Sequence, residues 1–336
     1  MHKFTHILPK KILYWYDNNK RLLPWRVSIY SKNVQYYRIL SEFMLQQTQV
    51  KTVIPYFKNF IKEIPSLKIL SQTNENKILK LWEGLGYYRR ARHLHLTSKM
   101  LIKNYNGVLP KDYNLIMKFP GIGNYTANAL LALVYNKPTI ALDVNVKRVF
   151  SRILNKDEKK INFDELINNN KKKLFKSKNR NKDFAEALIE FGALVCRPKE
   201  PRCVNCNIKK NCKYFKSKNK FKKKLNLKTI EKSYDIFCYL NQKNKKIALT
   251  KTNNLGFLNK SNLPMIKAQS KKANNKNWNF LCNYKSFISN KKLNINLYYK
   301  FSNKLPLQFN WYKFEKNNEF IPTFTKNIFK RLSKLF

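Results

Sequence analysis

Up to about residue 193, apolar side chains recur at the three- and four-residue spacing of a helix with one buried face. Ile7, Leu8, Ile12, Leu13, Trp15 and Tyr16 predict a helix within residues 1–20, which the turn Leu23-Pro24-Trp25-Arg26 ends. Ile39, Leu40, Phe43 and Met44 predict a second helix within residues 36–50. Amphipathic helices are also expected over residues 51–63 and 75–82, with a short one over 113–118. There is little strand pattern in this part and no internal repeat. Beyond residue 232 the texture changes. Residues 234–240 and 246–250 read as strands joined by a polar turn, and residues 293–298 alternate strictly, as a half-exposed strand does. Ile321-Pro322-Thr323-Phe324 then opens a closing helix. The expected organisation is a mainly α domain over 1–215, a Lys-rich linker over 216–232 and a small α+β domain over 233–336.

Several breaks in this pattern carry candidate chemistry. Pro120-Gly121-Ile122-Gly123 is a tight turn between two helical segments, giving a helix-hairpin-helix unit. Gly121 and Gly123 allow close backbone approach, and amides at a helix start point outward to meet an anion. A P-loop would need Gly-Lys-Ser/Thr, which is missing, so a nucleic-acid phosphate fits this turn better than a nucleotide. Asp143 follows, just before the basic helix start Val144-Asn145-Val146-Lys147-Arg148. Glu42 stands inside an apolar helical segment, either as a partly exposed residue or as an acid whose pKa burial raises. Next to it, Leu45-Gln46-Gln47-Thr48 offers amides and an apolar wedge for reading base edges or filling a gap in a base stack. In the turn Gly84-Leu85-Gly86-Tyr87-Tyr88, followed by Arg89, Arg90 and Arg92, two tyrosines could stack on bases while the arginines meet phosphates. An aromatic core contact beside a solvated basic helix is an equal alternative there. His93 and His95 read as helix-packing residues.

Charge narrows the partner. With 336 residues and a net charge of +50, the chain is suited to a polyanion. Lysine is abundant everywhere, linkers included, so the clustered arginines are the better guide. No apolar run reaches membrane-spanning length and the N-terminus lacks a signal peptide's apolar core, so a cytoplasmic protein is expected. Its six cysteines then read as ligands or free thiols. Cys196, Cys203, Cys206 and Cys212 are spaced C-x6-C-x2-C-x5-C, one close pair flanked by single cysteines. That spacing suits an iron–sulfur cluster better than the two close pairs of a zinc ribbon, although zinc stays open on spacing alone. Cys238 and Cys282 read as buried thiols.

Taken together, residues 1 to about 212 resemble the helix-hairpin-helix DNA glycosylases that carry a 4Fe-4S cluster, and among them the adenine DNA glycosylases of the MutY family. The residues that carry the match are Leu23-Pro24-Trp25-Arg26, residues 41–50, residues 81–92, Pro120 to Ala127, Asp143 to Arg148 and the four-cysteine loop. The resemblance implies excision of adenine mispaired with 8-oxoguanine or guanine in double-stranded DNA, by a monomer associated with the bacterial nucleoid. It implies Glu42 as the acid that protonates adenine and Asp143 as the carboxylate that stabilises the sugar cation. Tyr125 and Asn145 would orient that pair, and Glu186 would lie near the adenine pocket. Arg26, Leu45, Gln46, Gln47, Thr48, Leu85, Tyr87, Gly121 and Gly123 would contact the DNA. Cys196, Cys203, Cys206 and Cys212 would hold one 4Fe-4S cluster.

Two alternatives compete with this reading. An endonuclease III-like enzyme would carry a Schiff-base lysine where this chain has Tyr125, and a non-catalytic DNA binder would not need Glu42 and Asp143 together. There are departures from the family as well. Val144 stands where glycine is usual, and His93 where Asn is usual. Residues 233–336 resemble the family's Nudix-like 8-oxoguanine-recognition domain only in part. Leu255-Gly256-Phe257-Leu258 is a worn form of a glycine-rich segment, and Ile288-Ser289-Asn290 stands for a Phe-Ser-His loop of which Ser289 keeps the hydroxyl.

Overall fold

The computed structural model describes residues 4–176, 178–217, 230–252, 258, 260–269, 277–288, 291–314 and 319–336. Ser289, Asn290 and Leu255-Gly256-Phe257 lie outside the described residues, as does most of the expected linker. The chain divides into two compact units, one of residues 1–73 and 89–224, the other of residues 74–88 and 225–336. Residues 74–88, which hold the expected helix over 75–82 and the turn that follows it, thus group with the second unit.

In the first unit the helices are α1 (Phe4–Asn19), α2 (Val34–Leu45), α3 (Val50–Glu63) and α4 (Leu67–Gln72), while α5 (Glu75–Leu81) belongs to the second. The first unit resumes with α6 (Arg89–Tyr105), α7 (Tyr113–Met117), α8 (Asn124–Tyr135), α9 (Val144–Leu154), α10 (Phe163–Leu174), α11 (Asn181–Leu194) and α12 (Lys213–Lys216). This is the helical architecture that the apolar spacing predicts. One core gathers Leu8 and Ile12 of α1, Val146, Val149 and Ile153 of α9, and Phe184, Leu188 and Phe191 of α11. Burying such large side chains is the main driving force for the bundle, at about 1.5–3 kcal/mol each. Local chemistry sets the helix ends. Asp143 caps α9 by accepting from the Asn145 and Val146 amides, and α8 and α9 stop at Asn136 and Asn155 in the left-handed conformation that Asn tolerates.

The second unit is built on a sheet of β1 (Ile230–Asn241), β2 (Lys246–Leu249), β3 (Met265–Ala268), β4 (Asn279–Ile288), β5 (Lys291–Phe301) and β6 (Asn310–Lys313). Strand order is β4-β5-β1-β2-β6, with β3 pairing the first half of β1, and the long β1–β5 pair is parallel. Helix α13 (Thr323–Leu332) covers one face, packing Phe324, Ile328 and Leu332 against Ile236, Cys238, Ile295 and Leu297. Cys238 is fully buried there, as its sequence context suggested.

Candidate active site

The hairpin and its surroundings are held by one face of α6. Gly121 has φ +78°, and a Cβ there would lie 2.7 Å from the His93 ring nitrogen and 2.9 Å from Phe43, so only glycine fits. Above Gly123 nothing lies within 4 Å, which leaves the start of α8 open to a ligand backbone. Thr97 donates to the Pro120 carbonyl at 3.1 Å. Two turns earlier on α6, the Arg90 guanidinium donates to the carbonyls of Phe43 (3.1 Å), Met44 (2.7 Å) and Gln46 (2.5 Å) and to the Thr48 hydroxyl (3.0 Å). These are the acceptors that the end of α2 would otherwise leave without partners. The bend after α2 puts Gln47 in the left-handed region at φ 58° with its side chain exposed, Leu45 and Thr48 half-buried, and Gln46 donating to the Gly121 carbonyl at 3.1 Å. The loop and the hairpin are therefore one braced surface.

Glu42 faces the interior from α2, 6% exposed. Burial pushes its carboxyl up to about 7; the nearby Glu186 and Asp143 charges push the same way, against Arg38 and a hydrogen bond donated by the Tyr125 hydroxyl. Its Oε2 is buried with no hydrogen-bond partner, an arrangement that costs free energy unless a ligand completes it. Asp143 Oδ1 accepts from the amides of Asn145 (2.9 Å) and Val146 (2.7 Å), and Oδ2 from the Asn145 side chain (2.6 Å). Burial raises the Asp143 carboxyl above its ordinary range while these three N–H groups oppose it. Val144 does not crowd the carboxylate: its side chain is 64% exposed. An acid poised near neutrality beside a carboxylate fixed by three donors can give a proton at one place and stabilise a cation at another.

Glu186 is in a buried ion-pair network. Arg26 Nε lies 2.9 Å and Arg38 Nη2 2.5 Å from its carboxylate, and Tyr16 donates a short hydrogen bond to it. Although burial acts the other way, these partners hold Glu186 below the usual carboxylate range. One turn along α11, Glu190 pairs with Arg21 and, at 3.1 Å, with Arg26. The sequence places Glu186 near the adenine pocket and Arg26 against the DNA; it singles out neither Arg38 nor Glu190, and Arg26 is instead spent on the two glutamates. Two acids four residues apart in an apolar helix were the available signal, since buried charges demand partners.

Arg148 was also passed over as a site residue. Its Nη2 donates to Asn145 Oδ1 (2.8 Å) and the Gly192 carbonyl (2.7 Å), and its Nε to the Cys196 carbonyl (2.7 Å). The Asp143–Asn145 pair is thereby tied to α11 and to the first cysteine of the loop. The approach is close enough that a Cβ on Gly192 would lie 2.7 Å from the Asn145 Cβ.

Cys196, Cys203, Cys206 and Cys212 all line one cavity with Arg152, Phe191 and Tyr214. Arg152 donates to the Cys196 sulfur at 3.4 Å, and its carbonyl accepts from the Cys212 thiol at 3.4 Å. Burial pushes the Cys206 thiol up to about 11, and the sulfurs of Cys196, Cys212 and Cys203 push it further the same way. Among the described residues no group of three or more His, Cys, Asp or Glu side chains is placed to hold a single metal ion. Four cysteine sulfurs lining one cavity are a donor set that fits an iron–sulfur cluster.

Leu85 and Tyr87 belong to the second unit, where Leu85 is buried and Tyr87, at φ 49°, is 43% exposed.

The family profile described as "HhH-GPD superfamily base excision DNA repair protein" matches residues 40–177. An adenine DNA glycosylase of Buchnera aphidicola subsp. Baizongia pistaciae is 39% identical over 260 residues, covering 76% of this chain and 72% of that protein. The chain belongs to the adenine DNA glycosylase family. Its relatives include an adenine DNA glycosylase of Buchnera aphidicola subsp. Schizaphis graminum, 36% identical over 64% of this chain and 61% of that protein. The human adenine DNA glycosylase is 33% identical over 60% of this chain but only 38% of its own length. A solved thermostable thymine-DNA glycosylase shares the fold at a TM-score of 0.56 and 24% identity, covering 64% of this chain and 97% of that one. A trapped endonuclease III–DNA covalent intermediate does so at 0.52 and 22%, covering 64% and 98%. The helix-hairpin-helix fold expected from the sequence is thus the family's own.

Proposed function

We propose that this chain hydrolyses the N-glycosidic bond of adenine in double-stranded DNA where adenine stands opposite 8-oxoguanine or guanine. Membership of the adenine DNA glycosylase family supports a DNA N-glycosylase, a hydrolase of base excision repair. The observation that carries the residue assignment is Glu42, a buried carboxyl held near half-protonation at pH 7 with one oxygen unbonded. A base inside a duplex is out of reach, so adenine must first be extruded, at a cost of a few kcal/mol. Leu45, Gln46, Gln47 and Thr48 would fill the vacated stack, and Gly121 and Gly123 would take a backbone phosphate. Glu42 then gives its proton to adenine N7. The C1′–N9 bond breaks, its electron pair leaves with the base, and Asp143 stabilises the cationic sugar by charge or by transient attachment. Water adds at C1′ and its released proton goes to a carboxylate. Tyr125 aligns Glu42, Asn145 aligns Asp143, and burial keeps Glu42 protonated, with the Glu186 charge acting the same way.

Tyr125 offers no amine for a Schiff base, and the Lys147 ammonium sits over the Phe163 ring, 5.6 Å from its centre. Base release should therefore leave the strand whole. The test is incubation with duplexes holding A opposite 8-oxoguanine, G, C or T, with and without alkali. Adenine should be lost opposite 8-oxoguanine and G, with breaks only after alkali. Intact A:8-oxoguanine duplexes with release of oxidised pyrimidines would refute the reading.

Cys196, Cys203, Cys206 and Cys212 would hold one 4Fe-4S cluster, which supplies a rigid cross-link of its loop. Iron and inorganic sulfide should be present in equal amounts in the purified protein, and zinc in their place would refute the assignment. Among the described residues no helix is long and apolar enough to cross a membrane. Action at the nucleoid, in the cytoplasm, is the location proposed.

A further inference from the structure

Within the second unit, among the described residues, α13 covers only one face of the sheet. The opposite face carries Phe237 and Tyr239 of β1, Tyr298 of β5 and Phe280 of β4, all at positions alternate to the core-facing residues. With Trp278 and Phe309 they form a continuous run of six rings. Their centroids are 5.5 Å apart for Phe280–Tyr298, 5.2 Å for Tyr298–Phe237, 5.0 Å for Phe237–Trp278, 4.7 Å for Trp278–Tyr239 and 6.4 Å for Tyr239–Phe309. This is not a second core. Phe237, in the middle of the run, is buried under its neighbours, but Phe280 is 56% exposed and Tyr298, Tyr239, Trp278 and Phe309 are only half-buried.

The exposed charge on this face is mostly positive. Exposed Lys267, Lys285 and Lys300 share it, and the Lys267 ammonium lies 5.8 Å from the centre of the Phe237 ring. The two strand carboxylates on the same face are engaged by neighbours: buried Asp235 accepts from the Asn296 amide at 3.0 Å, and Glu231 is ion-paired with Lys292. Open aromatic faces among lysines match a strand of unpaired nucleotides, whose bases stack on rings while its phosphates meet ammonium groups. A second copy of this chain fits poorly, because each copy carries a net charge of +50.

We propose that this uncovered sheet face binds single-stranded DNA. It is a different surface from the one assigned to the extruded adenine, and it gives the second unit a role that needs no lesion. Bases stack on Phe280 and Tyr298, and Lys285 and Lys300 hold the backbone.

The test uses the full-length protein and a lesion-free, fluorescently labelled oligothymidylate, with a 5-iodouracil version for photo-cross-linking and peptide mapping. Cross-links should fall on peptides containing Phe280, Tyr298 or Trp278. Phe280→Ala should weaken oligothymidylate binding at least about 5-fold, from the stacking loss at one base, and leave single-turnover adenine release unchanged. Lys285→Gln/Lys300→Gln, both on exposed side chains, should weaken binding and reduce its salt dependence. Cross-links confined to residues 1–217, or unchanged affinity in both variants, would overturn the proposal. So would concentration-dependent self-association abolished by Phe280→Ala without any cross-link to this face. Because cross-linking is read without base release, its outcome stands apart from that of the adenine-excision assay.

Discussion

Glu42→Gln should slow adenine release by about 10²–10⁴-fold, the range for loss of a general acid, while duplex affinity stays close to that of the parent. The argument rests on protonation state. The Glu42 carboxyl is pushed up to about 7, first by burial, so near pH 7 about half the molecules carry the proton that N7 requires. Below that pH the parent's rate should reach a plateau, and above it the rate should fall about tenfold per unit as the acid form is lost. The glutamine variant should show no such fall. Stability should move oppositely. A carboxyl whose folded pKa exceeds its unfolded value favours folding below the unfolded pKa, and that advantage is lost as pH rises from about 4.5 through about 7. Glu42→Gln should therefore make the protein more stable above pH 7, by up to roughly 3 kcal/mol. Measuring single-turnover release and thermal midpoint against pH reads both. A glutamine variant that keeps the rate, or loses it with stability, would remove Glu42 from the acid role.

The same residues show what the sequence could and could not reveal. Glu42 was visible as a carboxylate within an apolar helical segment, but whether it was partly exposed or buried stayed open until the structure placed it inside. Asp143 was visible as a cap, and the structure adds that both of its oxygens are engaged. Arg90 was read with Arg89 and Arg92 as a phosphate contact, but it is buried and spends its guanidinium on the Phe43, Met44 and Gln46 carbonyls. Arg38, and the Gly192 and Cys196 carbonyls that Arg148 reaches, were hidden because such partners lie far along the chain, where no local spacing encodes them. Arg38 and Glu186, for instance, are 148 positions apart. In the second unit β5 was legible because Leu293, Ile295 and Leu297 alternate with polar residues. Its partner β4 was not. Phe280 and Phe287 place aromatic side chains on the uncovered face, and an irregularity between Phe280 and Cys282 shifts the register, so the period-2 signal is erased. The features that hid the strand are those that make its open face unusual.

Asp143→Asn should cost about 10²–10³-fold or more in the rate of adenine release, the scale for removing a charge that faces a developing transition-state charge. The substitution separates two duties of one side chain. As a helix cap, asparagine is about as good as aspartate, and its carbonyl oxygen can keep the bonds from the Asn145 and Val146 amides. Its amide nitrogen, however, would meet the Asn145 Nδ2 that now donates to Oδ2 at 2.6 Å, two donors facing each other. Asn145 cannot simply turn over, because its Oδ1 accepts from Arg148. The variant thus loses the negative charge and loosens the Asn145–Arg148 link, while α9 stays capped. Asp143→Ala removes the cap as well and should lower stability by about 1 kcal/mol more than the asparagine variant. If charge is what matters, both variants should be equally slow and only alanine should shift the thermal midpoint. Activity that follows the midpoint, with asparagine near the parent rate, would mean that Asp143 serves the helix and not the sugar cation.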